Sequence, residues 1–433
     1  MITLQDPRWY PVLLRAGMLA LLIIIYFIWY RSSRASVLRA QFLLFSVLWF
    51  LLEVISWMML HWVWPSFEKP SHLLFKYSPP VSLDRPPLYG HYDPDFDFWR
   101  RPNDSVTIAR CSDQKEIKYK TNHLGLRDME HTATSVVPRV IWLGDSFTEG
   151  AMVNVNDRAS SWIQKWTKIP QINMGIRSSS TLNHYLIYRK LKSNYTHDAI
   201  VLGVLPANDL EDYQPEKKIN ILEYPIYRPY WDESGQIKYS LNRVDQAFGS
   251  LTRYNRPDLV YQTRDSLYRS LSLPEKLQVE ITSNSYVWAL IKGLALQNAR
   301  HTYEETNSFD QEINPKAWQD FERSLVKLKE EANGKPILVA MYPTLSDIKT
   351  YQKNKSMRLA DRIQALCQKH SLLFINTLPA FAQHRSPESL YVLCDGHWNE
   401  AGERMAAEIL IKHPLFSQKN PGNFGQATGV IKK

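Results

Sequence analysis

Two long apolar runs open the chain. Residues 11–30, PVLLRAGMLALLIIIYFIWY, and 40–64, AQFLLFSVLWFLLEVISWMMLHWVW, each hold about the 20 residues that a helix needs to cross a hydrocarbon core. Trp9, Tyr10, Trp29, Tyr30, Trp62 and Trp64 mark their ends, where an aromatic belt sits. The loop between them carries Arg31, Arg34 and Arg39 and no acid, so the positive-inside rule places it in the cytoplasm and both termini outside. Residues 1–66 therefore read as a transmembrane hairpin, two-pass in the inner membrane, with the rest of the chain on the extracytoplasmic side. Arg15 and Glu53 fall at similar depth in the two spans, and charges in hydrocarbon find partners. They are expected to pair, or else to meet another membrane partner.

Residues 67–120 are rich in proline and aromatics over most of their length and read as an extended linker. Asp93, Asp95 and Asp97 resemble the start of a calcium loop, but Phe98 stands where that loop needs glycine, so they read as a solvated turn. From 121 to 415 the pattern changes. VPRVIWLG (137–144), PQINMG (170–175), DAIVLGVLP (198–206), KPILVAMYP (335–343) and SLLFINT (371–377) are short and bulky, as strands are. Helical patterns lie between most of them. In AWQDFERSLVKLKEEANG, Trp318, Phe321, Leu325 and Leu328 share one face and Gly334 follows as a stop. Such alternation predicts an α/β fold, a sheet of about five parallel strands between helices. Residues 211–315 break the rhythm and read as an aromatic-rich insert, either a cap with platforms for sugars or acyl chains or a subdomain with its own aromatic core. Residues 416–433 read as a tail.

Composition adds a few exclusions. The net charge is +9, without the dense basic stripes of a nucleic-acid binder, so no nucleic-acid partner is expected. Cys111, Cys367 and Cys394 have no metal-ligand spacing. No metal or cofactor is expected, and one disulfide is possible in an oxidising compartment.

In an open parallel sheet, reactive groups gather at the carboxyl ends of strands. Ser146 follows the first strand, Gly175 the second, Asn208 the third, and Asp395 and His397 the fifth. A serine hydroxyl needs a base and donors for the oxyanion. His397 can be that base, with Asp395 orienting its ring. The backbone N–H groups of Ser146 and Gly175 and the amide of Asn208 can form the oxyanion hole. Each residue alone has an ordinary alternative, Ser146 as a helix cap above all.

Together the stretches GDSFTEG, INMG, PAND and CDGHWN, with TNHLGLRD (121–128) upstream, resemble the SGNH/GDSL family of serine esterases and acyltransferases, in membrane-anchored bacterial form. The resemblance implies a three-layer α/β/α sandwich of flavodoxin-like type, no metal, and catalysis by Ser146, His397 and Asp395 through an acyl-enzyme. Two departures stand out. Pro206 replaces the usual glycine of the third block, and one residue, Gly396, separates Asp395 from His397 where the family usually has two. By position, Thr148, Glu149 and Tyr342 are expected to contact substrate.

The resulting expectation is a membrane-tethered esterase acting on acylated envelope glycans or lipids. The alternatives are an O-acyltransferase that modifies a surface polysaccharide, and a catalytically silent glycan-binding scaffold.

Overall fold

The computed structural model describes residues 36–65, 67, 70, 91–93, 95–177, 179–210, 229–239, 269, 272–303 and 308–417. The first apolar run, with Arg15, lies outside the described residues. The chain divides into two compact units.

The larger unit holds Arg85–Gln214, Ile226–Asn255 and Tyr303–Lys433. In chain order its strands are β1 (His91–Asp93), β2 (Asp97–Trp99), β3 (Ser105–Ala109), β4 (Glu116–Lys120), β5 (Val140–Leu143), β6 (Gln171–Asn173), β7 (Ala199–Val204), β8 (Pro229–Trp231), β9 (Ile237–Tyr239), β10 (Ile337–Met341) and β11 (Leu373–Asn376). Five of them form one parallel sheet in the order β11-β10-β7-β5-β6. Numbered within the sheet this is 2-1-3-4-5, the doubly wound order whose direction of winding reverses between the first and third strands. Those strands are β5 and β7, so the switch point lies beside the end of VIWL.

Every residue of β5, β6, β7 and β10 is buried, as a sheet covered on both faces requires. Two pairs of helices supply cover: Ala159–Thr167 packs on Glu400–Leu410, and Thr181–Leu191 on Pro315–Ala332. In Pro315–Ala332 the buried side chains Phe321, Leu325 and Leu328 recur on one stripe, and Asn333 closes the helix in the left-handed conformation one residue before Gly334. The edge strand β11 is half-buried throughout.

Four expectations change. Residues 91–120 are not an extended linker, because β1–β2 and β3–β4 form antiparallel hairpins. β4, EIKYK, alternates exposed and buried, with Ile117 and Tyr119 inward; its charged partners hid a strand of period two. The aspartates of the β1–β2 turn are not simply solvated either, since Lys190 Nζ lies 2.6 Å from Asp93 and 2.9 Å from Asp95. The insert is not one body. Its β8–β9 hairpin belongs to the larger unit, where Trp231 joins the main core and donates to Ser324 Oγ at 2.9 Å, while its two helices belong to the smaller unit. Tyr213, Tyr224, Tyr227, Tyr254, Tyr261 and Tyr268 lie outside the described residues. The domain also runs past 415, with Phe416 stacked 6.4 Å from Trp142.

The smaller unit holds Met1–Asp84, Pro215–Pro225 and Arg256–Thr302. Its helix Ser36–Met58 continues through a π-helical turn, Met59–Val63. The segment Gln41–Val63 is long and apolar enough to cross a membrane, and only 11% of it is buried within the protein. Leu43 to Met58 present a nearly continuous exposed apolar surface.

One buried acid in the larger unit makes stability depend on pH. Glu403 is fully buried and accepts from the backbone N–H of Ala159 at 2.9 Å. Burial raises its pKa to about 8, against the pull of that N–H and of Arg158 and Arg127. A carboxyl whose folded pKa lies above its unfolded one favours folding most at low pH, and loses that advantage as pH climbs toward the folded value. Glu403→Gln keeps an acceptor for Ala159 and removes the titration. Thermal melts should show the variant gaining stability over wild type between pH 5 and 8, and a difference that stays constant across this range would contradict the shift.

Candidate active site

The peptide after β5 turns sharply. Gly144 has φ +152, and a Cβ there would collide with Thr148 and approach Gly203 O at 3.1 Å, so only glycine fits. Asp145 caps the one-turn helix Ser146–Glu149, its carboxylate accepting from Phe147 N at 2.9 Å. The capping role considered for Ser146 therefore falls to its neighbour. Ser146 begins the helix, where backbone N–H groups have no partner inside it, and its side chain leaves the turn at the carboxyl end of the sheet.

Ser146 Oγ lies 2.7 Å from His397 Nε2, joining residues 251 apart in sequence. His397 Nδ1 in turn hydrogen-bonds Asp395 Oδ1. The loop that carries both is tightly made: Val392 N donates to His397 O at 2.8 Å, and Asp395 N and Gly396 N both donate to Val392 O. Gly396 stands at φ +91 with nothing near a would-be Cβ. Its conformation, not its size, lets an aspartate reach the histidine across a single residue. The shortened spacing is thus accommodated by a left-handed glycine. Trp398 fixes the loop from below, stacked on Phe381 at 5.1 Å and edge-on to Phe147 and Tyr342 at 4.9 and 5.0 Å. Burial opposes ionisation of Asp395, but the hydrogen bond and charge of His397 hold its pKa below the usual carboxylate range.

Asn208 is exposed at the same rim, and one amide hydrogen goes to Asp145 Oδ2 at 3.1 Å. An amide has two, so this bond orients the group and leaves a second donor. Asp145 and Asp209 behind it are both buried, and burial raises both pKa values, that of Asp209 helped by the nearby charge of Asp145.

Four expected roles need correction. The Gly175 N–H donates to Asn173 Oδ1 at 2.9 Å, so here it is committed inside the fold rather than offered to an oxyanion. Thr148 is 5% exposed, Glu149 1% and Tyr342 1%, so none of these side chains contacts substrate at a surface. Each lies within a few residues of a reactive strand end, but a helix of one turn sends most of its side chains inward. Thr148 is wedged between Gly144 and Gly203, and Tyr342 packs on Trp398.

Glu149 is instead the centre of a buried charge network. It meets Arg100 at 3.0 Å and Arg177 at 3.4 Å, and accepts from Arg177 N at 3.0 Å. Burial works to raise its pKa, but the three guanidiniums of Arg100, Arg177 and Arg127 bring it down to about 2. Arg127, from TNHLGLRD, is fully buried and donates to the carbonyls of Glu149, Gly150 and Val153. Arg100 Nη2 donates to Gly175 O at 2.5 Å. These arginines hold the backbone on which Ser146 stands. Arg127 was visible inside a family-like block; Arg100 had no local signal, because its partners lie 49 and 75 residues away.

A disulfide, Cys111–Cys394, ties the catalytic loop to the region after β3, with Cα atoms 6.2 Å apart and a sequence separation of 283. Beside it Glu400 accepts from Arg110 and from Lys115 at 2.8 and 2.6 Å. Cys367 is free and buried.

No family model matches the sequence, and no curated protein does. Among solved structures, 63% of the chain is similar to 96% of a member of the lipolytic protein G-D-S-L family from Veillonella parvula DSM 2008, at 12% identity and a TM-score of 0.32. Likewise, 64% of the chain is similar to 54% of the salicylyl-acyltransferase SsfX3 from a tetracycline biosynthetic pathway, at 12% identity and a TM-score of 0.30. At such distances the assignment rests on the site itself. A serine at the switch point of a 2-1-3-4-5 parallel sheet, bonded to a histidine that is bonded to an aspartate, is the arrangement that the resemblance to SGNH/GDSL enzymes implies.

Glu149 supplies a test of position against contact. Glu149→Gln leaves buried Arg100 without its counter-charge, and loss of one partner of a buried pair costs about 3–5 kcal/mol. Urea unfolding should register that loss. A variant of wild-type stability with a raised KM would return Glu149 to the substrate.

Proposed function

We propose that this chain is a membrane-tethered serine esterase that acts outside the cytoplasm on ester-linked acyl groups of envelope glycans or lipids. The observation that carries the proposal is the continuous Ser146–His397–Asp395 hydrogen-bond chain. In the first step Ser146 Oγ attacks the acyl carbonyl carbon while its proton passes to His397 Nε2. Asp395 holds the ring and stabilises the imidazolium. The negative charge on the carbonyl oxygen is met by the Ser146 N–H and the second amide hydrogen of Asn208. The intermediate then collapses, the C–O bond to the alcohol breaks, and His397 returns its proton to the departing oxygen. Water, deprotonated by His397, attacks the acyl-enzyme and releases the acid and Ser146.

Two features support the location. Gln41–Val63 has the length and hydropathy of a span, and disulfides such as Cys111–Cys394 persist in oxidising compartments. If a sugar hydroxyl replaces water in the second half-reaction, the same residues perform acyl transfer.

A serine-directed phosphonate should label the purified protein at Ser146, with labelling lost in His397→Ala; folded protein that resists the probe would favour a silent scaffold. With acyl nitrophenyl esters, Ser146→Ala should be inactive and Asn208→Ala slower by about 10²- to 10³-fold in kcat. Adding saccharide acceptors separates the two fates of the acyl group, because transfer yields an acylated sugar and hydrolysis yields only free acid. Cys394→Ser should lower activity and remove about 2–5 kcal/mol of stability; unchanged values on both counts would show that the loop holds without the bridge.

A further inference from the structure

Glu53 does not face an empty membrane. Its carboxylate accepts from Ser285 Oγ at 2.5 Å and from the backbone N–H of Tyr286 at 2.8 Å. Tyr286 begins the helix Tyr286–Tyr303, so an acid within the apolar span sits on the first turn of a helix from the insert, where backbone N–H groups and the helix dipole favour a negative charge. Among the described residues, the hydrogen-bond partners of Glu53 are Ser285 and Tyr286 of this same chain.

The contacts continue in one direction. Leu60 is buried with Tyr286 and Ala289, and His61 lies 6.2 Å from the Tyr286 ring. Further on, Phe67 lies against Gly293, where any Cβ would collide. As the first chain segment advances from Glu53 in the helix to Phe67 just past its end, the contacted residues advance from Ser285 to Gly293, with the same sense.

The lengths agree. Glu53 stands nine to eleven residues before Trp62 and Trp64, about 14–16 Å at 1.5 Å per residue, or roughly half of a 30 Å hydrocarbon core. The apolar part of the second helix, Tyr286–Ala295, rises about 15 Å by the same measure. It then meets Gln297, Asn298, Arg300 and His301. Trp288, Ile291 and Leu294 are 40%, 51% and 37% exposed on this helix, and Leu273, Leu277 and Ile281 make an exposed stripe at every fourth residue on the helix before it, Leu273–Asn284. Lys292 is the single charged residue between Tyr286 and Asn298, and a lysine stem can carry its ammonium toward the headgroups.

We propose that the insert enters the bilayer as a re-entrant hairpin, its tip at Ser285 near mid-depth, the exposed face of Tyr286–Ala295 against lipid acyl chains, and the helix before it, which carries Glu275, Lys276 and Glu280, meeting lipid only through its Leu273, Leu277 and Ile281 stripe. The proposal rests on Gln41–Val63 crossing the membrane. Non-helical backbone at that depth is tolerated where protein satisfies it, and Glu53 does so for the chain at Ser285 and Tyr286. The apolar stretch Tyr286–Ala295 is too short to span, and entering halfway is one of the few uses for such a length.

The test is spin-label accessibility in the full chain, reconstituted in phosphatidylcholine/phosphatidylglycerol vesicles. Cysteines introduced one at a time at Trp288 and Ile291 carry the label, with Ile55→Cys as the span reference and Val136→Cys as the aqueous reference; the native cysteines are bridged or buried. Labels at 288 and 291 should collide with oxygen several-fold more than with a water-soluble nickel chelate, as the label at 55 does. A label at 291 that behaves like the one at 136 overturns the hairpin, as does one shielded from both agents, which would place it against protein. Water-like behaviour at 55 as well would instead remove the membrane span. Ester hydrolysis plays no part in this readout, so the catalytic proposal stands or falls separately.

Discussion

The turn after β5 is the constraint on which the rest of the site depends. A parallel strand ending at a switch point must hand the chain to a helix within a few residues, and here Gly144 makes the bend while Asp145 satisfies the helix start. That leaves Ser146 as the first helical residue, with its hydroxyl toward the rim where β7 also ends. Everything else at the site either holds this turn or approaches it.

Holding it falls to buried charge. Arg127 grips three carbonyls just beyond the helix, and Arg100 bridges Glu149 to the Gly175 backbone. Burying so many ions is costly unless each is paired and hydrogen-bonded, and the pairing here is dense. A backbone cradled by guanidiniums resists displacement more than one held by dispersion alone, which suits a nucleophile that must stay within hydrogen-bond reach of its base. The approaching loop is stiffened differently, by the aromatic stack under Trp398 and the crosslink at Cys394.

The smaller unit, in the membrane setting proposed for it, follows a related logic. In hydrocarbon a carboxylate needs donors, and the Ser285 hydroxyl and the Tyr286 N–H supply them to Glu53. Arg15, the partner considered from sequence, lies outside the described residues. Similar depth in two neighbouring spans made that pairing reasonable. Nothing local could show that a segment more than two hundred residues later returns to the same place.

By itself the sequence determined what depends on short range and on period. Five bulky runs in an alternating grammar specified five parallel strands, and Gly144 and Asp145 announced a strand-to-helix turn. The order of Ser146, Asn208, Asp395 and His397 after strand ends also put chemistry on one rim, since every strand of a parallel sheet ends on the same side. Tertiary structure decided what depends on who lies opposite. It turned Glu149 from a surface expectation into a buried ion, committed the Gly175 N–H to Asn173, and joined Cys111 to Cys394. It also let Gly396 close a shortened Asp–His spacing. These outcomes turn on burial and on contacts between residues tens to hundreds of positions apart, and neither is written in any single stretch of chain.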